Sequence, residues 1–397
     1  MPCRCNRDPR VYARGQTEAP KAAINCKQLI LRHITTQNFR NLGDAETAFH
    51  PQTNILVGRN GQGKTNLLEA IYFLATTKSF RTSRIASLFR FGASNVFVSG
   101  ALERADLEKN LSVGLGVPPP VGAPEARTTP GQRRVLMING EKVTLAAYLN
   151  AMSVFAYSAA RLEVIRGTPE ERRRFLDRGA ASVNAAYLEQ FARYMRALKQ
   201  RNALLADIAM NRQSAASLDA WDNELREAAA PVHRARAAYA NDLGEAFAQI
   251  VKRHGYHIAA LEMHYRPNAL EDKRREEIRA RMTLSGPQRD LVEFVLEGRP
   301  ASEVLSGGEQ KMIVLFLKFA KLELFRRRHD DAPLFLLDDI DAELDLEILH
   351  DLLTKLPVAT QLFATSAKEA FLDALTTGPH RRLTFENGRV TAARDFA

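Results

Sequence analysis

The chain of 397 residues has no cysteine beyond position 26. Its three, Cys3, Cys5 and Cys26, crowd into the N-terminal stretch. No disulfide can hold the body together, and a reducing cytoplasm is the expected home. Cys3-Arg4-Cys5 has neither zinc-ligand spacing nor a paired knuckle, so a structural metal is not expected there. No run of about 18 apolar residues occurs, so no transmembrane helix is expected, which argues against an integral transporter but not against a soluble subunit of one. Residues 1–27 are basic and mixed, without the apolar core of a secretory signal. They read as a disordered tail, or as an extension upstream of the true start. Charge is not balanced: 56 Lys and Arg against 46 Asp and Glu leave a formal net charge of +10. Such an excess suits a polyanion such as nucleic acid.

The segment Gly58-Arg59-Asn60-Gly61-Gln62-Gly63-Lys64-Thr65 fits the phosphate-loop pattern G-x-x-x-x-G-K-[ST] at every fixed position. The apolar strand Thr53-Asn54-Ile55-Leu56-Val57 precedes it, and residues 66–74 follow with apolar side chains at helical spacing. Glycines let backbone N–H groups close around phosphate oxygens, and the helix N-terminus adds favourable partial charge. Lys64 is placed to reach the β- and γ-phosphates, and the Thr65 hydroxyl to ligate Mg²⁺. ATP and Mg²⁺ are the expected cofactors.

Strands are expected at 29–34, 96–102 and 111–117. The proline-rich stretch 117–131 reads as an exposed loop. Residues 135–138 and 142–145 flank Asn139-Gly140, a two-residue hairpin signal. From Thr168-Pro169-Glu170-Glu171, a capped helix start, the period becomes helical. Leu188, Phe191, Met195, Leu198 and Leu205 fall on one stripe. Leu218, Trp221, Leu225, Val232, Tyr239, Leu243 and Ile250 fall on a second. With a turn at 210–214, this predicts an antiparallel helical hairpin. Strand character returns at 291–296, 334–337 and 361–365, and a hairpin is expected around Asn387-Gly388. The division is a tail at 1–27, an α/β part at 28–168, a helical arm at 169–280 and a second α/β part at 281–397.

Two further elements carry chemistry. In Leu305-Ser306-Gly307-Gly308-Glu309-Gln310-Lys311, Ser306 stands at a helix N-cap with outward-facing donors. Leu334-Phe335-Leu336-Leu337-Asp338-Asp339 is an apolar strand ending in two carboxylates, at the sheet edge where ligands bind. Asp338 suits the Mg²⁺ shell, and Asp339, followed closely by residues 342–345, suits an attacking water. Along the arm, Arg172, Arg173, Arg174, Arg178, Arg193, Arg196, Lys199 and Arg201 are candidate phosphate contacts. No aromatic stacking platform accompanies them, which favours backbone binding over base readout.

In this order the three sites resemble the ABC-type ATPase head: a P-loop, a mixed sheet with helices, and here an inserted helical arm. The resemblance implies that Ser306, Gly307 and Gly308 contact the γ-phosphate held by another subunit. No second P-loop is present, so the chain would form an ATP-bound homodimer. The flanks are more specific. Asn38-Phe39-Arg40-Asn41-Leu42, residues 63–71, Lys78-Ser79-Phe80-Arg81, residues 169–177, Arg201-Asn202-Ala203-Leu204-Leu205 and residues 336–339 resemble the RecF family of bacterial recombination-repair proteins. That likeness spans nearly everything after residue 28. Gln288 stands where the family usually has histidine, and the 305–311 element is closer to the transporter form.

What the resemblance implies is a slow, DNA-stimulated ATPase acting as a switch, with ATP as a dimer clamp at gapped or single-strand/double-strand junction DNA. It would assist RecA loading with RecR and RecO, in recombinational repair, replication restart and SOS induction, and would need no membrane. Another SMC-like ATPase, in phage defence or chromosome maintenance, would usually carry a longer arm or a nuclease domain. A soluble transporter subunit would lack the basic arm.

Overall fold

A computed structural model describes residues 27–105, 107–116, 134–158, 162–256, 258, 261–329, 331–340, 346–356, 359–367, 376 and 378–397. The expected tail, the 117–131 loop and residues 342–345 lie outside the described residues, apart from Lys27.

A mostly parallel sheet forms the centre. Its strand order is Arg389–Phe396, His380–Glu386, Thr53–Val57, Leu362–Ser366, Leu334–Asp338 and Val154–Ser158. All pairs are parallel except the terminal hairpin. Leu334–Asp338 is buried along its whole length, as a strand covered on both faces should be. Alternation divides its side chains between two cores. Leu334 and Leu336 pack with the helix Lys64–Thr76 and a second, antiparallel sheet. Phe335 and Leu337 pack with the helix Gly307–Arg328 and the arm. These two helices therefore lie on opposite faces of the central sheet.

The antiparallel sheet is built on Lys27–Gln37, Val96–Arg104, Leu107–Leu115 and Arg134–Ile138. Gln361 stitches it to the central sheet. Its amide accepts from Leu31 N at 2.8 Å and donates to Leu31 O at 3.0 Å and His50 O at 2.9 Å. Asn139 and Gly140 both have positive φ, 52° and 82°, the twist a tight hairpin requires. The strand expected at 142–145 stops at Lys142. Thr144 instead caps the helix Leu145–Leu149 by accepting from Ala147 N.

The arm pairs Tyr187–Ala209 with Leu218–Arg253. Its entry helix, Pro169–Val183, has the capping box that Thr168 and Glu171 imply. The first expected stripe is shifted in phase. Leu188 and Met195 are 51% and 42% exposed, and the buried face is Tyr187, Tyr194, Ala197, Leu198, Arg201, Leu205 and Ile208. Tyrosines and an arginine with buried partners displaced the aliphatic residues that periodicity favours. A strand, Leu261–Arg266, also falls within 169–280, paired with Leu291–Leu296.

Candidate functional site

The loop after Thr53–Val57 turns sharply because two glycines adopt conformations closed to other residues. Gly58 has φ +146°, and a Cβ there would stand 2.6 Å from Phe385 O. Gly63 has φ +110°, with Leu42 and Gly388 pressed against it. The helix begins at Lys64. The Lys64 ammonium donates to Gly58 O at 2.5 Å and Arg59 O at 3.0 Å, so a cation already sits within the loop curve. Gly58, Arg59, Asn60, Gly61, Gln62, Gly63, Lys64 and Thr65 together form the cradle expected for phosphate oxygens.

Opposite the loop, the parallel register brings the end of Leu334–Asp338 beside Thr65. The Thr65 hydroxyl donates to Asp338 Oδ1 at 2.7 Å. Thr365 donates to the same oxygen at 3.0 Å, and Ser158 to Oδ2 at 3.3 Å. Asp338 is only 5% exposed. Burial pushes its carboxyl above the ordinary range, and the three hydroxyls and the Arg81 charge oppose this only in part. One carboxylate and one hydroxyl beside a phosphate cradle is the donor set Mg²⁺ uses with a nucleotide, where phosphates and waters complete the octahedron. Asp339 comes next, exposed, with φ +57°.

The residues that distinguish the loop's flanks converge around it. Glu69, 0% exposed, accepts from Arg40 at 2.7 Å and from the Ser79 hydroxyl, with the Arg81 guanidinium 3.6 Å away. Arg81 donates to Asn66 Oδ1 at 2.7 Å, and Asn66 donates to Asn41 Oδ1 at 2.5 Å. Asn41 reaches the Gly61 carbonyl at 3.2 Å. The terminal hairpin joins them, with Asn387 N donating to Gln62 Oε1 at 2.7 Å and Gly388 N to Gln62 O at 2.9 Å. Sequence reasoning missed Ser158 and Thr365 as members of the site. The apolar run Val154-Phe155-Ala156-Tyr157 signals the strand that carries Ser158. Thr365 lay on an expected strand, but nothing local says which strand it would adjoin.

Ser306 caps the helix Gly307–Arg328, its Oγ accepting from Glu309 N at 3.3 Å while Glu309 accepts from Ser306 N at 2.7 Å. Among the described residues no hydrogen bond joins Ser306, Gly307 or Gly308 to the phosphate loop within the chain. Gln310, one turn in, is buried and accepts from Arg166 Nε at 2.5 Å.

The arm cations divide by environment. Arg201 is a correction: 5% exposed, it pairs with Asp222 at 2.7 Å and Glu277 at 2.6 Å, and so holds the arm together instead of facing a phosphate. Arg172 donates to Gly167 O at 2.7 Å and Arg173 to Asp290 O at 2.9 Å. Arg174 pairs with Glu170, and Arg193 with Glu224 and Glu227. Lys199, Arg178 and Arg196 are exposed. Asp290, fully buried, links the arm to the segment 286–290, bonded to Arg236, His233, Tyr265 and Asn268 N. Gln288 accepts from Tyr194 and donates to Ser285 O at 2.8 Å.

Comparison with known proteins bears on the family and the fold. The model of the RecF/RecN/SMC N-terminal domain matches residues 30–387. The DNA replication and repair protein RecF of Geotalea daltonii is 32% identical, over 91% of this chain and 99% of that protein. RecF of Lactobacillus acidophilus is also 32% identical, over 85% and 92%. A solved structure of the recombination mediator protein RecF with ATP, from the RecFOR pathway, superposes with a TM-score of 0.78 at 24% identity, covering 93% of this chain and 98% of that one. An Smc head domain from Pyrococcus furiosus gives 0.53 at 16%, covering 93% and 96%. The fold is the ABC-type ATPase head, and the chain belongs to the RecF family.

Proposed function

We propose that this protein is an ATP-dependent DNA-binding repair ATPase in which ATP closes a homodimer. The observation that carries the reading is the meeting of Thr65 and Asp338 beside the Lys64 loop. Lys64 leaves the loop carbonyls and holds the β- and γ-phosphates. Thr65 and Asp338 hold Mg²⁺, which when bound offsets charge on the phosphates. Asp339, at the exposed end of the strand, orients the attacking water and takes its proton. Ser306, Gly307 and Gly308 of a second copy close over the γ-phosphate with the N-terminal end of their helix. The capping box keeps that helix end ordered, and its place across the sheet from Lys64 suits a role in the other subunit's site.

The DNA reading rests on the net charge and on the family. Arg174, Arg193 and Lys199 are the arm cations assigned to phosphate contacts, with Arg172 and Arg173 at its base. The preferred substrate is gapped or junction DNA, and RecR and RecO are the partners in assisting RecA loading. Turnover is slow and stimulated by DNA, and the protein works in the cytoplasm. Among the described residues no helix is long and apolar enough to cross a membrane.

The test is ATP hydrolysis and dimerisation, measured by light scattering, with and without gapped duplex DNA. Stimulation of both supports the clamp. A chain that hydrolyses ATP as a monomer, indifferent to DNA, sinks it.

A further inference from the structure

Thr365 is the second-to-last residue of Leu362–Ser366, the strand that separates the phosphate-loop strand from the acidic strand. Its register places it beside Leu56 on one side, while Ala364, the residue before it, pairs with Leu337 on the other. It is 1% exposed. Its hydroxyl makes two bonds of opposite sense. It accepts from Asp339 N at 2.8 Å and donates to Asp338 Oδ1 at 3.0 Å. A third tie is the Thr365 carbonyl, which accepts from Ile340 N at 3.3 Å.

These bonds fix what the acidic turn cannot fix by itself. Asp339 has φ +57°, a left-handed conformation that costs free energy even for aspartate and is held by its hydrogen bonds. The bond from its N–H to Thr365 is one of these. On the other side, Asp338 Oδ1 receives both Thr65 and Thr365. Thr65 is the hydroxyl assigned to the metal. Thr365 and Ser158 are then the donors left to keep the carboxylate from rotating.

We propose that Thr365 is a positioning residue for ATP hydrolysis: one hydroxyl sets the orientation of Asp338 and, through the backbone, that of Asp339. The assignment rests on the ATPase reading above. Thr365 acts through Asp338 and Asp339, on which both bonds of its hydroxyl are spent. Its hydroxyl proton is committed to the carboxylate, so its lone pair must take the Asp339 N–H, and the chain of bonds has a single direction.

The substitution Thr365→Val keeps the shape and removes the hydroxyl, while Thr365→Ser keeps the hydroxyl. Three readouts are needed: binding of a fluorescent ATP analogue, steady-state hydrolysis, and the thermal midpoint with and without Mg²⁺ and nucleotide. For Thr365→Val, kcat falls about tenfold or more, as losing one buried hydrogen-bond partner implies. Nucleotide affinity stays within about threefold, because the phosphate cradle is intact. More Mg²⁺ is needed for the nucleotide to raise the midpoint, and Thr365→Ser restores most of both effects. Wild-type hydrolysis in Thr365→Val would overturn the assignment. So would kcat and affinity falling together with the midpoint, unrescued by serine, since that marks a purely structural residue. If the unaltered protein neither binds nor hydrolyses ATP, the ATPase reading fails first and takes this one with it.

Discussion

The Thr65 hydroxyl donates to Asp338 Oδ1 at 2.7 Å, although 273 residues separate the two in the chain. The contact exists because the strands before them are held in one parallel sheet, with Leu362–Ser366 between. Nucleotide chemistry at the loop therefore depends on closure of the whole head, not on the loop alone.

Replacing Lys64 with alanine removes the cation that lies within the loop. ATP affinity is expected to fall roughly 10- to 100-fold, the worth of a charge-assisted contact. ATP-dependent dimerisation by light scattering should vanish at nucleotide concentrations that saturate the unaltered protein. An undiminished dimer would remove Lys64 from the site.

Asp339→Asn keeps the shape of the turn and removes the base. Hydrolysis should slow about 100-fold or more, within the range general-base catalysis supplies. Binding should persist, so the dimer accumulates with ATP and disperses slowly. Unchanged turnover would assign the base elsewhere.

The arm cations separate under salt. DNA affinity measured from low to moderate salt should fall steeply, and Lys199→Ala should reduce the slope by about one counterion. Arg201→Met should instead leave the slope unchanged and lower the thermal midpoint, because it leaves Asp222 and Glu277 without their buried partner. Equal salt slopes in Lys199→Ala and the parent would take that lysine off the DNA path.

Acid stability should report on Asp290. Its burial raises the carboxyl, but bonds from His233, Asn268 N, Tyr265 and Arg236 outweigh this, and the net direction is downward. A lowered native value means that the unfolded chain binds the proton first as pH falls. The stabilisation is present above the unfolded value, about 3.9, and is lost as pH falls through the native one. Urea midpoints followed from pH 6 downward should therefore decline below about pH 4 in the parent. Asp290→Asn should start lower and show a shallower acid limb. Parallel curves would mean that the buried network adds nothing.

Glu69→Gln tests the support under the loop. It leaves the largely buried Arg40 and the half-exposed Arg81 facing a neutral group. A loss of roughly 3 kcal/mol in unfolding free energy is expected, the scale of a broken buried pair. A change below about 0.5 kcal/mol, typical of surface positions, would contradict the role of Glu69 as the junction of these residues.

The local elements were legible in the sequence because each is specified by near neighbours. Gly58, Gly61, Gly63 and Lys64 define the loop. Thr168, Pro169 and Glu171 start a helix, Ser306 and Glu309 cap another, and Asn139-Gly140 closes a hairpin. The apolar run before Asp338 announced a strand covered on both faces. Periodicity held on Leu218–Arg253, where Leu218, Leu225, Val232, Tyr239, Leu243 and Ile250 are buried, and slipped on Tyr187–Ala209, where Tyr187, Tyr194 and the ion-paired Arg201 take the core face in place of Leu188 and Met195.

By itself the sequence determined that a phosphate loop, a capped helix and an acidic strand end are present, since turn chemistry, capping and hydrophobic run length act over a few residues. Only the tertiary structure decided that Thr65, Ser158 and Thr365 would meet on Asp338, that Arg40 and Arg81 would share Glu69, and that Ser306 would stand across the sheet from Lys64. Those relations follow from strand order and register, which are set by how two cores fill on either side of one sheet.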